Sequence, residues 1–450
     1  MLRRKGQRPG RCLGKPLTLG SAVALLVPVL VVLAGSGASA SPQAAPKGDW
    51  GIVTSPNTGA SQNNYLVGLE CVSASDCWAV GDYRAGNTYQ TLVEHWDGTS
   101  WTIVPSPNTS STRNNRLFGV TCASPSDCWA VGFHVSSNGS RTLIMRWDGS
   151  AWAIVTSPNA IASDASSLHG VTCVSASDCW AVGDSYSSLT GFVAQTLIMH
   201  WDGTSWSVDH TSSSLPVAHN TLLGVTCVSG SDCWAVGSSF TGGVVQTLIE
   251  RWDGTSWSVV PSSNTSATEH NVLHAVSCSS GSDCWAVGFY LASTPQTLIE
   301  RWDGASWSIV TSPNTNVAQN NVLHGVTCVA ESQCWAVGRY RSDSTYQTLV
   351  EFWDGISWTI VASPNTSAAR ANSLLGVACV ATSDCWAVGN ARGGSADQTL
   401  TMKYSVGPAP LEASELSFTR ALRSPGSTRI RHFSRRASPT LTAILSKRQS

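Results

Sequence analysis

A phrase with two cysteines occurs seven times along the chain. It reads CVSASDCWAVG at Cys71, and near copies begin at Cys122, Cys173, Cys227, Cys278, Cys328 and Cys379. The intervals between these starts are 51, 51, 54, 51, 50 and 51 residues. A fixed period of this length is typical of propellers and other repeat architectures, in which one supersecondary unit is copied along the chain. The repeat therefore constrains the fold more than any other feature of the sequence.

Each repeat contains four short β-rich runs that are separated by turn signals. In the repeat that starts at Leu222 the runs are LLGVTC, CWAVG, QTLIERW and SWSVV, here termed strands a, b, c and d. The Asp-Gly pair between strands c and d supplies the positive φ angles of a tight hairpin. Residues 50–404 show no sustained helical period of apolar positions. Four-stranded units of this length, arranged radially, form a β-propeller, with an open β-solenoid as the alternative.

The two ends of the repeat region predict closure of a ring. The seventh repeat stops at QTLTMKYSVG and has no strand d. A segment that matches strand d, DWGIVTSPNT, stands instead before the first repeat, from Asp49. Residues 50–53 therefore complete the last blade and clasp the first blade to it. Because a solenoid gives no reason to divide a repeat in this way, the sequence predicts an all-β, seven-bladed β-propeller closed by an N-terminal strand.

Residues 1–40 have the organisation of a secretory signal peptide. A basic stretch is followed by the apolar run AVALLVPVLVVLA and by small residues, with Ala38 and Ala40 in the A-x-A arrangement. The apolar run is too short to span a bilayer comfortably. We therefore expect cleavage after Ala40, secretion, and no transmembrane segment in the mature chain. An uncleaved membrane anchor is the alternative.

Signal cleavage also leaves an even number of cysteines. The chain has 15, and removal of Cys12 leaves two in each repeat. Such a set in an exported protein indicates disulfides, whereas the C-x5-C spacing without paired histidines does not fit zinc. We expect neither a metal nor another cofactor. Because the two cysteines bracket the a–b turn, one bridge is expected in each blade: Cys71–Cys77, Cys122–Cys128, Cys173–Cys179, Cys227–Cys233, Cys278–Cys284, Cys328–Cys334 and Cys379–Cys385.

The near-neutral total charge hides two regions of opposite charge. Residues 41–404, the predicted propeller, contain 13 Lys and Arg against 26 Asp and Glu, so 13 − 26 gives a net charge of −13. Such a surface repels nucleic acid, which is therefore excluded as a partner of this domain. Residues 405–450 contain eight basic and two acidic residues and no repeat, which predicts a disordered, solvated tail. Association of this tail with anionic cell-wall polymers is the alternative.

The repeats also assign structural roles to the tryptophans and to the end of strand c. All 20 tryptophans fall at three repeat positions, which favours packing between blades over stacking on a sugar. Strand c ends in pairs such as Glu250-Arg251 and Glu300-Arg301, whose adjacent side chains point to opposite faces. We therefore expect the basic residue of one blade to pair with the acid of the next, as Arg301 with Glu351. The carboxylates are then structural.

Three histidines share one position in strand a. His169, His274 and His324 stand where other repeats have Val, Phe or Leu. Sharing a position with apolar residues favours packing between blades. A metal site would require the three histidines to converge, which their location in the third, fifth and sixth blades does not suggest.

At these residues the chain resembles secreted bacterial β-propeller repeat proteins, and the resemblance covers residues 50–404. The WD at the end of strand c is similar to WD40 repeats, although their Gly-His element is missing. The repeat length is similar to that of kelch repeats, although their paired glycines are absent, and SxSDCWAVG does not fit the Asp-box of sialidase-like propellers. The resemblance implies the architecture, while no family's functional residues carry over.

The two faces of the predicted propeller differ in how far the repeats agree. The a–b and c–d turns, on one face, are nearly identical, whereas the b–c and d–a segments, on the other, vary in length and chemistry. Varied aromatic loops on a rigid frame are typical of a recognition surface. The candidate ligand-binding residues are the ten Phe and Tyr of the b–c segments: Tyr83, Tyr89, Phe133, Tyr186, Phe192, Phe240, Phe289, Tyr290, Tyr340 and Tyr346.

These patterns favour a monomeric, non-catalytic binding or scaffold module that recognises an extracellular glycan or protein through the b–c and d–a face. The alternative is a propeller glycoside hydrolase or lyase with a carboxylate pair on the same face. Against an enzyme, no acid lies inside strand a near the axis, and Glu70, the nearest, stands beside a stapled turn. The acids of the varied face are Asp82, Asp164, Asp184, Asp209, Glu269, Asp343 and Asp397.

Overall fold

The computed structural model describes residues 48–159, 165–187, 193–210 and 219–406. Within these residues 28 strands form seven four-stranded antiparallel sheets and there is no helix. The described residues therefore include no helix that is long and apolar enough to cross a membrane. The predicted all-β, seven-bladed propeller is confirmed. The predicted signal peptide, residues 1–40, and nearly all of the predicted tail lie outside the described residues.

Each blade consists of strands a to d in chain order, and the innermost strands of neighbouring blades contact one another around the axis. Blade 1 contains β2 (Asn64–Ser73), β3 (Asp76–Ala85), β4 (Thr88–Trp96) and β5 (Trp101–Ile103). Blade 2 contains β6 (Asn115–Ser124), β7 (Asp127–Ser136), β8 (Gly139–Trp147) and β9 (Trp152–Val155). Blade 3 contains β10 (Ala165–Ser175), β11 (Asp178–Ser187), β12 (Val193–Trp201) and β13 (Trp206–His210). Blade 4 contains β14 (His219–Ser229), β15 (Asp232–Thr241), β16 (Val244–Trp252) and β17 (Trp257–Val259).

Blade 5 contains β18 (His270–Ser280), β19 (Asp283–Leu291), β20 (Pro295–Trp302) and β21 (Trp307–Val310). Blade 6 contains β22 (Asn321–Ala330), β23 (Gln333–Ser342), β24 (Thr345–Trp353) and β25 (Trp358–Ile360). Blade 7 contains β26 (Asn372–Ala381), β27 (Asp384–Arg392), β28 (Asp397–Val406) and β1 (Gly48–Val53).

The N-terminal strand closes the ring as the sequence predicts. Strand β1 pairs antiparallel with β28, and Trp50 stands opposite Tyr404. The backbone N–H of Gly48 donates a hydrogen bond to the Tyr404 hydroxyl over 2.9 Å. The Trp50 ring also packs edge-on against Trp335 of blade 6, with 5.3 Å between the ring centroids. The last blade is thus completed by a strand that the chain reaches before the first blade.

The hydrophobic core lies between blades. The cluster between blades 2 and 3 is representative, because Trp129 of blade 2 packs against Trp201 and Trp206 of blade 3. The ring centroids are 4.7 Å and 5.3 Å from that of Trp129. The other interfaces repeat this arrangement with their own aromatic rings. The tryptophans therefore form the frame of the molecule, as expected from their periodic positions.

One disulfide joins strands a and b in every blade. Cys71 and Cys77 face each other across β2 and β3 with 4.0 Å between their Cα atoms. Because so close a pair closes a single hairpin, each bridge stabilises its own blade, and none joins two blades. The bonds are Cys71–Cys77, Cys122–Cys128, Cys173–Cys179, Cys227–Cys233, Cys278–Cys284, Cys328–Cys334 and Cys379–Cys385.

The predicted ion pairs between blades are wrong. Arg301 Nε donates instead to Asp283 Oδ1 in its own blade over 2.7 Å. Glu351 is fully buried at the blade interface, where its Oε2 accepts from the Ser312 hydroxyl over 3.0 Å. The two side chains point to opposite faces as expected, but the arginine reaches the buried Asp283 at the start of β19 and the glutamate remains in the core. The acid at the start of strand b is therefore the nearer partner.

Candidate functional site

Every innermost strand carries a β-bulge near its middle. In β2, Leu66 pairs with Gly81 and pairing resumes at Gly68, so Val67 has no partner on β3. The same shift occurs in the other six innermost strands. A bulge changes the direction of the extra side chain. The glycine opposite is required, since a Cβ on Gly81 would lie 2.0 Å from the carbonyl oxygen of Tyr65. This contact explains the final glycine of the sevenfold phrase.

The seven bulged residues surround the propeller axis and are termed the bulge ring. Together with the two residues that follow in each strand, they line an axial cavity of about 310 Å³. This volume is at the lower end of the range for small-molecule sites. The bulge ring consists of Val67, Phe118, His169, Leu223, His274, His324 and Leu375.

The three histidines of the bulge ring line the same cavity, and two of them contact each other. His169 stacks on Phe118 of the neighbouring blade, and His274 stacks on His324 with 4.9 Å between the ring centroids. These contacts between blades agree with the packing expected from the sequence. His169 has no ring contact with the other two histidines among the described residues, although the bulge in every blade directs this position towards one shared cavity. Among the described residues, no group of three or more His, Cys, Asp or Glu has the arrangement of a metal site.

A second ring lies beside the bulge ring, on the side of the b–c hairpins. It consists of the strand-b residues that follow the final glycine of the sevenfold phrase and is termed the mouth ring. Its members contact the bulge ring: Asp184 Oδ1 lies 2.7 Å from His169 Nε2, and Phe289 lies against His274. The mouth ring consists of Asp82, Phe133, Asp184, Ser238, Phe289, Arg339 and Asn390. The face of the b–c hairpins and d–a loops, with this mouth at its centre, is termed the variable face.

The first charged group at the mouth joins blades 1 and 2. Arg116 Nε donates to Asp82 Oδ1 over 2.7 Å, and its guanidinium lies 4.8 Å from the centroid of the Tyr89 ring. Burial raises the pKa of Asp82, and the Arg116 charge opposes this shift. Arg116 therefore neutralises a buried carboxylate that would otherwise have no charged partner, and it fixes the Tyr89 ring beside it.

A different charged group stands at blades 5 and 6. The Arg339 guanidinium lies 4.6 Å from the centroid of the Tyr346 ring. Among the described residues it forms no salt bridge, and its Nε is buried without a hydrogen-bond partner. Burial lowers the pKa of His274 and His324, and the nearby Arg339 charge acts in the same direction. Both rings are therefore neutral near pH 7 in this electropositive part of the mouth.

Among the described residues, no contact joins two acids of the varied segments into the carboxylate pair of a hydrolase. Asp397 accepts from the Tyr65 hydroxyl over 2.9 Å and pairs with Arg392. Glu269 accepts from the Thr265 hydroxyl. Asp209 and Asp343 are both exposed, and Asp343 stands in the b–c hairpin turn of blade 6. Asp164 lies outside the described residues.

Ser167, His169 and Asp184 are close together but do not form a nucleophile relay. His169 Nε2 lies 2.7 Å from Asp184 Oδ1 and 3.3 Å from the Ser167 hydroxyl. A Ser-His-Asp relay requires the serine and the aspartate on different nitrogens of the imidazole. Here the two groups share one nitrogen, so the cluster positions the histidine in the cavity wall and does not activate the serine.

The b–c segments predicted as loops are mostly strand. Strand β3 continues to Ala85 and β4 begins at Thr88, which leaves a two-residue turn. Side chains of a strand alternate between its faces, so the candidate aromatic residues divide by position. Tyr83, Tyr290 and Tyr340 point away from the mouth and pack against the clusters between blades.

The other candidates lie at or near the variable face. Phe133 and Phe289 belong to the mouth ring, and Tyr89 and Tyr346 pack against the arginines described above. Tyr186 and Phe240 stand on the hairpins of blades 3 and 4 and are 39% and 40% exposed. Phe192 lies outside the described residues. The structure thus brings four candidates to the mouth and leaves two as exposed rings on hairpins.

Sequence reasoning missed Arg116 and Tyr65, which lie in innermost strands, and it did not single out Arg339, although Arg339 begins the varied segment RYRSDSTY. A signal for them exists in the chain itself. Their repeat positions hold different side chains in different blades, whereas the leucine after Tyr65 and Arg116 and the glycine before Arg339 recur in all seven blades. Comparison of the seven repeats at each strand position, and not only in the loops, would have identified these positions as variable.

No family model and no curated protein matches the sequence. Among solved structures, the chain is similar to the acylaminoacyl peptidase of Pyrococcus horikoshii, with 8% identity and a TM-score of 0.44. That match covers 74% of this chain and 52% of the peptidase, so the chain spans about half the length of that protein. It is also similar to the SapL1 lectin in complex with alpha methyl fucoside, with 12% identity, a TM-score of 0.43, and coverage of 69% and 100%. A third match is the six-bladed fucose-recognising lectin of Aleuria aurantia, with 12% identity, a TM-score of 0.41, and coverage of 68% and 97%. Similarities of this size identify neither a family nor a ligand.

Proposed function

We propose that the chain is an exported, monomeric and non-catalytic binding module that recognises an extracellular glycan or protein through the variable face. The observation that supports this most is where the seven repeats differ. The frame residues are nearly the same in all blades, whereas the bulge ring, which lines the cavity, and the mouth ring beside it combine apolar, aromatic, acidic and basic side chains. Packing alone favours equal residues at equal positions, so this local diversity is typical of a surface that is adapted to an asymmetric ligand.

The environment of the module follows from its disulfides. Seven bridges are typical of an oxidising compartment. Together with the signal peptide predicted for residues 1–40, they support secretion and a ligand outside the cell. Retention at a cell wall through the basic residues of 405–450 belongs to the same proposal.

The hydrolase alternative has two candidate acids. Glu70 lies inside the innermost strand β2, so the expectation that no acid lies inside strand a is wrong, and burial raises the pKa of Glu70 to about 7. Burial raises the pKa of Asp82, as expected for a general acid, and Asp82 Oδ2 is buried without a partner. A structural role accounts equally for this pKa, because Asp82 Oδ1 holds Arg116 in place. Turnover of generic glycosidase or lyase substrates that disappears in Asp82→Asn would establish the alternative and overturn the binding module.

The test of the binding function compares the two faces of the propeller on a glycan array. Replacing both Tyr186 and Phe240 by serine removes two exposed rings of the variable face. We expect binding to weaken by at least about tenfold, since aromatic anchors at recognition surfaces each contribute ~2 kcal/mol. The matched control is Ile356→Ser, which removes a side chain that is 60% exposed on a c–d turn of the opposite face.

The control variant is expected to bind as the unmodified protein does. Equal losses in the two variants, or a loss in Ile356→Ser alone, would contradict recognition through the variable face. An array without any signal would remove the glycan from the proposal and leave an extracellular protein as the ligand class to test.

A further inference from the structure

Arg339 differs from the other charged residues of the mouth ring because it has no counter-ion among the described residues. The two aspartates of the ring each have a basic partner within 2.7 Å. The Arg339 Nε atom is buried, and no group of the described residues accepts a hydrogen bond from it. Leaving such a donor without a partner costs about 1–3 kcal/mol. A ligand oxygen that accepts from Arg339 would recover this free energy, and a charged oxygen would recover most.

The cavity wall next to Arg339 offers further nitrogen atoms. His324 Nε2 is also buried without a partner. His274 Nδ1 donates to the Leu323 carbonyl oxygen over 2.7 Å, which fixes that ring in place, and His324 stacks on it. His324 has no such contact to fix its tautomer, so its Nε2 can carry the proton and donate. Arg339 and His324 therefore present donors from one side of the mouth.

Aromatic side chains at the cavity are compatible with the ring of a sugar. Phe118 lines the cavity, and Phe133 and Phe289 of the mouth ring pack against Phe118 and His274. A cavity of about 310 Å³ holds a small terminal group and not a long segment of chain. The net charge of −13 over residues 41–404 disfavours a polyanion. One isolated carboxylate beside one uncompensated arginine is compatible with that charge.

We propose that the axial cavity binds the carboxylate of a single acidic sugar at the end of an extracellular glycan, with Arg339 as its counter-ion and His324 as a second hydrogen-bond donor. The inference rests on the proposed function and specifies the chemical class of its ligand. Arg339 sets the preference for an acid over the corresponding neutral sugar. The aromatic side chains contribute to the affinity for both.

The test uses the full secreted chain and an array of glycans that end in glucuronic, galacturonic or sialic acid, each beside its methyl ester and a neutral counterpart. The bound acid is then titrated by calorimetry. Arg339→Asn is the main variant, and Asn390 at the same position of blade 7 shows that the frame accepts this residue. We expect affinity for the acid to fall ten- to a hundredfold, because hydrogen bonds to charged groups contribute ~1.5–3 kcal/mol. His324→Leu, which introduces the residue that blade 7 has at this position as Leu375, should lose about three- to tenfold.

Arg341→Asn is the matched control, because Arg341 lies two residues further along β23, is exposed, and donates to the Asp343 carbonyl oxygen. It should bind the acid as the unmodified protein does. Equal affinity for acid and ester, unchanged affinity in Arg339→Asn, or binding of peptides through a free C-terminal carboxylate instead of acidic sugars would each overturn the inference. Absence of any bound acidic glycan would overturn it too. Neutral glycans that still bind, and are lost on replacing Tyr186 and Phe240, would show that the proposed function stands without it.

Discussion

Replacing Trp50 by alanine is expected to lower the free energy of unfolding by ~3–5 kcal/mol, the range for removal of a large buried aromatic side chain. Trp50 is 4% exposed and contacts Trp335 and Tyr404. The effect should extend beyond the cavity left behind, because no turn connects β1 to β28. Pairing and packing alone hold this strand in the ring. Denaturant unfolding with the disulfides intact measures the loss, and amide hydrogen exchange along β28 reports whether the strand detaches.

Trp101→Ala is the control, because it removes an equivalent ring from a strand that is covalently connected. Trp101 is also 4% exposed and packs edge-on against Trp386 with 5.2 Å between the ring centroids. The turn at Asp97 and Gly98 joins its strand to β4. We expect a similar loss of unfolding free energy but faster exchange on β28 only in Trp50→Ala. Equal exchange of β28 and β4 in their respective variants would show that β1 is not the weak point of the ring.

The architecture could be predicted because it depends on features that recur in the sequence. Every blade repeats its cysteines and its tryptophans, and six repeats carry the Asp-Gly turn, so one local interpretation recurred along a single chain. The displaced strand d at Asp49 was visible as a missing unit at one end and an extra unit at the other. Each of these signals is local or periodic, and none requires knowledge of how blades contact one another.

The axial site could not be predicted in the same way, because it depends on the bulge. The sequence predicts regular alternation of side chains along strand a, in which Val67 and its equivalents would pair with strand b, whereas in the structure they have no partner there. The requirement appears only when Gly81 is seen to approach the Tyr65 carbonyl oxygen. The b–c segments were misjudged for a related reason: strands that extend beyond the core present alternate residues to opposite faces, so Tyr83 packs against one neighbouring blade while Asp82 contacts Arg116 of the other.

The prediction for strand c was wrong about the partners of the charges and right about the faces. The glutamates do lie at the interface with the preceding blade, but hydroxyl groups contact them there, as Ser312 contacts Glu351. They were expected to be charged because adjacent acidic and basic residues suggest ion pairs. Burial reverses this expectation, since a carboxyl group without a cationic partner in a core is more stable when protonated. The buried glutamates therefore affect how the stability of the whole molecule depends on pH.

Four glutamates buried at the same position of strand c give the unfolding free energy an unusual dependence on pH, to which Glu70 adds because burial raises its pKa to about 7. Burial raises the pKa of Glu250 to about 7 and that of Glu300 to about 8, from an ordinary value of 4.5. Between pH 4.5 and these raised values the folded chain binds more protons than the unfolded chain. The contribution of these carboxyl groups to the free energy of unfolding is therefore fully present below pH 4.5 and is lost as the pH rises through their pKa values in the folded chain. The four residues, at most 1% exposed, are Glu94, Glu250, Glu300 and Glu351.

We expect the free energy of unfolding to fall between about pH 6.5 and 8, with a limiting slope of ~1.4 kcal/mol per pH unit for each carboxyl group that is protonated in the folded chain. The interval begins at about pH 6.5 because the lowered pKa values of His274 and His324 have the opposite effect below the ordinary histidine value of 6.5. Denaturant unfolding at several pH values, with the disulfides intact, measures the slope.

Glu300→Met isolates the contribution of one carboxyl group without disturbing the core, because methionines at the same repeat position of blades 2, 3 and 7 are fully buried. The slope should decrease by the share of one group, and the variant should be more stable than the unmodified protein at pH 8. Glu331→Gln, in an exposed turn, is the control and should leave the slope unchanged. An undiminished slope in Glu300→Met would mean that Glu300 is ionised inside the folded core, and the pH dependence would then have to arise from groups outside the blade interfaces.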